Sequence, residues 1–96
     1  MLKVRRMKAG KRYIEAVLME LGSKNMIVLK GRKGYVMCGY LDLGVAEKFQ
    51  DAAVRITGVA TIGQAVKSQV SSCTKKARQL GIFVGQPVKE VLKIIA

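Results

Sequence analysis

The chain predicts an α+β fold: a largely antiparallel sheet of four to five strands, opened by an N-terminal meander, with about three helices. Two observations carry that expectation. Short apolar runs separated by Gly-bearing turns fill the first half of the chain, and strands adjacent in sequence favour antiparallel pairing. From Asp42 onward the apolar spacing changes to a helical period.

The elements follow in order. "LKVRRM" has strand composition and strong positive charge, so residues 1–11 read as either a basic strand or a basic arm. "KAGK" supplies a turn, "RYIEAVLMEL" a second strand and "LGSKN" another turn. "NMIVLK" and "GYVMCGYL" are the next strands, joined by "GRKG", whose glycines can take the positive φ of a hairpin loop. Asp42 is placed to cap a helix whose face is Leu43, Val45, Ala46, Phe49 and Ala53. "AVRITGV" reads as a strand.

The longest helix is expected near residues 61–80. Ile62, Ala65, Val66, Val70, Cys73, Ala77 and Leu80 trace one apolar stripe along it. Thr61 with Gln64 forms a capping box, and Gly81 suits the helix end. Ile82 to Val84 leaves room for a short strand. A last helix begins near Pro87, with Val88, Val91, Leu92 and Ile95 on its buried face.

Ninety-six residues make one domain with a modest core, 1–96, and half of them are apolar, which excludes a disordered chain. No apolar run reaches a membrane span and no secretion signal opens the chain, so a cytoplasmic protein is expected. In the second to fourth strands both alternating faces carry apolar residues, Ile14, Ala16 and Leu18 against Val17 and Met19. That pattern predicts self-association through one sheet face.

Eighteen Lys and Arg face six Asp and Glu, a formal charge of +12 that attracts nucleic acid or another polyanion. Histidine is absent, which removes the usual Ser-His and Cys-His nucleophile pairs. Cys38 and Cys73 cannot form a four-ligand zinc site, and no metal, cofactor or disulfide is expected.

"KGYVMCGYLD", residues 33 to 42, supports three readings. Lys33, Gly34, Tyr35 and Tyr40 match part of the RNA-recognition strand pattern, but Val36, Met37 and Cys38 do not, and that fold needs an early helix. Cys38, close before the cap Asp42, could be an activated thiol, with Lys33, Tyr35, Tyr40 or Asp42 as its only nearby bases. The third reading explains most of the letters: a turn at Gly34, a strand, a bend at Gly39 and a helix cap at Asp42.

The same block, followed by a helix, then "ITGV" running into a Thr-Ile pair and "LGIFVG" before a terminal helix, resembles the YunC-like family of small bacterial and archaeal proteins. The resemblance spans residues 12–96 and rests chiefly on Gly34, Tyr35, Met37, Cys38, Gly39, Leu41 and Asp42. It implies a compact α+β fold and a domain without assigned activity. Three departures stand out. Ala60 and Gly63 replace a basic and an acidic residue around the Thr-Ile pair, Gln86 to Val88 replace a Ser-Gly-Arg-like segment, and the opening is unusually basic.

The leading expectation is a cytoplasmic, non-enzymatic homo-oligomer that binds an anionic ligand or partner, with Gly34, Tyr35, Cys38, Gly39 and Asp42 as the ligand-site candidates. One alternative is sequence-independent nucleic-acid binding by three basic clusters. These are Arg5, Arg6, Lys8, Lys11 and Arg12; Lys30, Arg32 and Lys33; and Lys75, Lys76 and Arg78. The other alternative is a thiol-dependent enzyme using Cys38 with Asp42.

Overall fold

The computed structural model describes residues 1–96. Its first half follows from the alternation of the sequence. Strands β1 (Leu2–Ala9), β2 (Arg12–Leu21) and β3 (Lys24–Lys30) form an antiparallel meander, with Arg5 opposite Ala16 and Ala16 opposite Leu29. The opening segment is therefore a strand, not an arm. Strand β4 (Tyr35–Met37) continues the meander, placing Val36 opposite Leu29.

The "GRKG" loop closes this hairpin for a different reason from the expected one. Neither Gly31 nor Gly34 has positive φ. A Cβ at Gly31 would overlap the Ile95 carbonyl, and one at Gly34 would overlap that of Ala52. Both glycines serve close backbone approach.

Beyond β4 the sheet ceases to be antiparallel. Helix α1 (Leu43–Lys48) returns the chain so that β5 (Ala53–Arg55) runs parallel to β4, with Val36 opposite Val54. A parallel neighbour needs such a crossover, and the short helix supplies it. Strand β6 (Ser72–Cys73) then pairs antiparallel with β5. The result is a six-stranded sheet in chain order, largely antiparallel as expected but with one parallel pair, β4 with β5, and more strands than the four to five expected.

Four short helices replace the three expected. The long helix over 61–80 is instead α2 (Ile62–Val66), strand β6 and α3 (Lys75–Gln79), followed by α4 (Val88–Ile95). Sheet pairing wins over helical spacing here. Ser71 N–H donates to the Arg55 carbonyl at 2.9 Å and Thr74 N–H to that of Ala53 at 3.0 Å. The Thr74 hydroxyl caps α3 by accepting from Ala77 N–H at 3.2 Å. It also accepts from Ala53 N–H at 3.1 Å and donates to the Asp51 carbonyl at 2.7 Å. Serines at 68, 71 and 72 add little helix propensity to oppose this. Ile82 to Val84 forms no strand; Ile82 is buried and Phe83 and Val84 are exposed.

One sheet face is the main core. Ile14, Ala16, Ile27, Leu29, Val36 and Val54 pack there with Ile62 and Ala65 of α2, Ala77 of α3 and Val88, Val91 and Ile95 of α4. Each of the Val, Leu and Ile side chains contributes about 1.5–3 kcal/mol on burial, and the alanines less. The opposite face is covered only beside α1, where Ala46 meets Met37 and Ala53. No helix is long and apolar enough to cross a membrane.

Candidate functional site

The block from Gly34 to Asp42 is a structural junction. The Tyr35 hydroxyl donates to Asp51 Oδ2 at 2.8 Å. Burial, then that hydrogen bond and the Asp51 charge, push the Tyr35 hydroxyl up to about 12. A phenol held protonated this firmly is no base near neutral pH. Cys38 is 4% exposed, and its Sγ accepts from Ile27 N–H at 3.3 Å. Asp42 caps α1, its Oδ1 accepting from Gly44 N–H at 2.8 Å. The two candidate catalytic groups are thus a packed thiol and a cap. No three His, Cys, Asp or Glu side chains come together as a metal-binding group would require.

What the junction does create is a cavity of about 510 Å³ at the carboxyl ends of the parallel pair β4 and β5. One wall is Cys38 to Tyr40, the other Thr57 to Ala60, and the β2–β3 turn with Lys24 completes it. Asn25 Nδ2 ties that turn to the Ala60 carbonyl at 2.9 Å. Gly39 and Cys38 were named from sequence; Lys24 and Thr57 were not. The signal that finds them is the parallel pairing itself, because crevices form beyond the carboxyl ends of parallel strands.

The basic clusters collect at the other end of the sheet. Register puts the β1–β2 turn, with Lys8, Lys11 and Arg12, at the same end as the β3–β4 loop, with Lys30, Arg32 and Lys33, since Glu15 lies opposite both Arg6 and Lys30. Thr74 reaches Asp51 just ahead of β5, which brings Lys75 and Lys76 at the start of α3 to that end as well. Lys93, absent from the sequence clusters, lies against Gly10 there. Arg5 and Arg6 lie inward along β1, and the Arg6 guanidinium sits 4.2 Å over the Tyr13 ring. Arg78 turns back toward the Cys73 carbonyl, 3.5 Å from its Nη2. None of the 18 Lys and Arg side chains lies within 4.0 Å of a carboxylate oxygen; the ion pair present joins the Met1 amine to Glu20. Glu15, opposite Arg6 and Lys30, and Glu47, whose carboxylate accepts from Lys75 N–H, are the acidic neighbours of these clusters.

Comparison with known proteins places this arrangement. The family model for a domain of unknown function, DUF1805, matches residues 37–95. The chain belongs to the DUF1805 family. A relative, the uncharacterized protein YunC of Bacillus subtilis, is 36% identical over 81 residues, 80% of each chain. The YunC-like resemblance read from the sequence is the same family. A crystal structure of a protein of unknown function from Thermoplasma acidophilum superposes with a TM-score of 0.96 at 29% identity, covering 100% of this chain and 94% of that one. The DUF1805 match contains both long walls of the cavity, Cys38 to Tyr40 and Thr57 to Ala60, while β1 to β3 and their basic turn precede it.

Proposed function

We propose that this DUF1805 protein is a self-associating domain that binds phosphate-rich polymers through the basic end of its sheet. One observation carries the reading: segments far apart in sequence bring Lys8, Lys11, Arg12, Lys30, Arg32, Lys33, Lys75 and Lys76 to one end of the fold, and none of their charged groups lies within 4.0 Å of a carboxylate oxygen. Binding of this kind follows the polymer's charge and not its sequence. Arg6, held over the half-exposed Tyr13 ring, adds a guanidinium against which an unpaired base could stack.

Fluorescence anisotropy of labelled single-stranded RNA and duplex DNA, titrated at several salt concentrations, tests it. Affinity should fall steeply with salt, and joint replacement of Lys11, Arg32 and Lys33 by Ala should reduce the slope by about three. Absence of binding at low salt would falsify the reading.

Self-association has separate support. On the face away from α2 and α4, Val4 is 63% and Leu2 57% exposed, and their row partners Val17 and Met19 are only partly covered. A second copy laid on this face would remove that apolar surface from water. Thiol chemistry at Cys38 has no comparable support, because its sulfur is buried and hydrogen-bonded.

A further inference from the structure

We propose that the cavity beyond the carboxyl ends of β4 and β5 is a binding site for a small organic oxyanion, a phosphate ester or a carboxylate. This site lies at the opposite end of the sheet from the basic turns and goes beyond the polymer-binding reading, on residues that reading does not use.

Three features of the cavity converge on an anion. The first is its supply of donors. The backbone N–H groups of Gly39 and Tyr40 in one wall, and of Thr57, Gly58 and Val59 in the other, donate to no group of the protein. Their nearest neighbours do have partners: Cys38 N–H donates to Ile27, and Ala60 N–H to Gln64 Oε1. Successive free amides in loops that line a concavity can cradle oxygens bearing negative charge.

The second feature is cationic. Lys24 lines the cavity. Arg55 lies beside it, its Nη2 within 3.8 Å of where a Cβ on Gly39 would stand. Arg55 Nε is the one buried side-chain nitrogen or oxygen that has no hydrogen-bond partner. No carboxylate lies within ion-pairing distance of its guanidinium. A buried polar group without a partner is unfavourable by itself, and a planar guanidinium is matched best by an oxyanion.

The third feature is size. About 510 Å³ falls within the range of ordinary small-molecule sites. Tyr40, half exposed at the wall, offers a ring to the organic remainder of the ligand. The cavity has no carboxylate in its lining, so no formal negative charge there repels an anion.

The test uses the full chain, labelled with nitrogen-15, titrated with sodium phosphate and with sodium chloride at matched ionic strength. Phosphate should move the amide signals of Gly39, Tyr40, Thr57, Gly58 and Val59 saturably, and chloride should not. Lys24→Ala and Arg55→Gln should each weaken phosphate binding about tenfold, as expected when one charged partner is removed. Lys24 is exposed, so its variant reads the site even where Arg55→Gln perturbs folding. Glycerol phosphate and acetate, titrated separately, distinguish a phosphate ester from a carboxylate by which binds more tightly. Shifts confined to Lys8–Arg12 and Lys30–Lys33 would overturn the site and leave the polymer reading standing. Saturable cavity shifts in a protein that fails to bind RNA would do the reverse. Unchanged affinity in Lys24→Ala, or shifts that never saturate, also overturns the site.

Discussion

The two faces of one sheet are built from the same strands and end in opposite environments. On one face Ile14, Ala16, Ile27, Leu29, Val36 and Val54 are at most 1% exposed beneath the helices. On the other, Val4 retains 63% exposure and Val17 and Val28 are only partly covered, although all three are as apolar as their counterparts. Apolar alternation on both faces tells that each is suited to burial; it does not tell what does the burying. Helices α2 and α4 reach across β2 and β3, whereas α1 is too short to extend past β4 and β5.

The largest expected difference between the faces is in folding stability. Leu29→Ala on the covered face should destabilise by about 2–5 kcal/mol in denaturant unfolding. Val4→Ala on the open face should change monomer stability by no more than about 0.5 kcal/mol. Equal losses would mean that the open face is packed in solution as tightly as the core.

Thr74→Val comes next. It keeps the shape but removes a hydroxyl that joins β5, α3 and the Asp51 carbonyl, and unfolding should register a loss of about 1–3 kcal/mol. A neutral result would assign the break between α2 and α3 to strand pairing alone. The open face is probed by Val17→Lys. If copies associate through this face as proposed, light scattering coupled to size exclusion should show a smaller particle with an unchanged circular-dichroism spectrum, and an unaltered mass would overturn association through the open face.

The smallest effect concerns the α1 side, where Tyr35 at the start of β4 is tied to Asp51 just ahead of β5. The folded-state value of about 12 lies above the ordinary 10.0, so the folded protein holds this proton more tightly than the unfolded chain does. The stability it contributes is therefore complete below pH 10 and is lost as pH rises toward about 12. Tyr35→Phe should lack that alkaline decline. Parallel pH curves for the two proteins would contradict the assignment.

Much of this fold is legible in the letters, and the exceptions have a common physical origin. Strands β2 and β3, the Asp42 cap, the Thr61 cap and the Val88, Val91, Leu92 and Ile95 face all depend on neighbours within a few residues. Even there Gln64 deviates: its Oε1 accepts from Ala60 N–H at 2.8 Å, one residue before the position a capping box uses. Of the stripe, Ile62, Ala65, Val70, Cys73 and Ala77 are buried as the spacing implies, yet by a bent path, because Cys73 pairs with Val54 across the sheet; Val66 is only partly covered and Leu80 is exposed. Parallel pairing of β4 with β5 is invisible to periodicity, and with it the cavity, Lys24 and Arg55. The close approaches at Gly31 and Gly34 likewise depend on Ile95 and Ala52, which no local pattern brings near. Of the candidate site, the glycines and Cys38 were legible as a junction, but the space they enclose was not.

The strand order carries a kinetic consequence. Every strand lies beside its predecessor in the chain, so the sheet can grow by accretion, closing short loops through the meander and longer ones, across α1 and α2, to add β5 and β6. Helix α4 is the exception: Ile95, fully buried, accepts through its carbonyl from Lys33 N–H at 2.7 Å, joining the last helix to the middle of the sheet. Assembly should therefore be quick through the meander and wait on one late event, the docking of α4, which locks the β3–β4 loop and seals the core together.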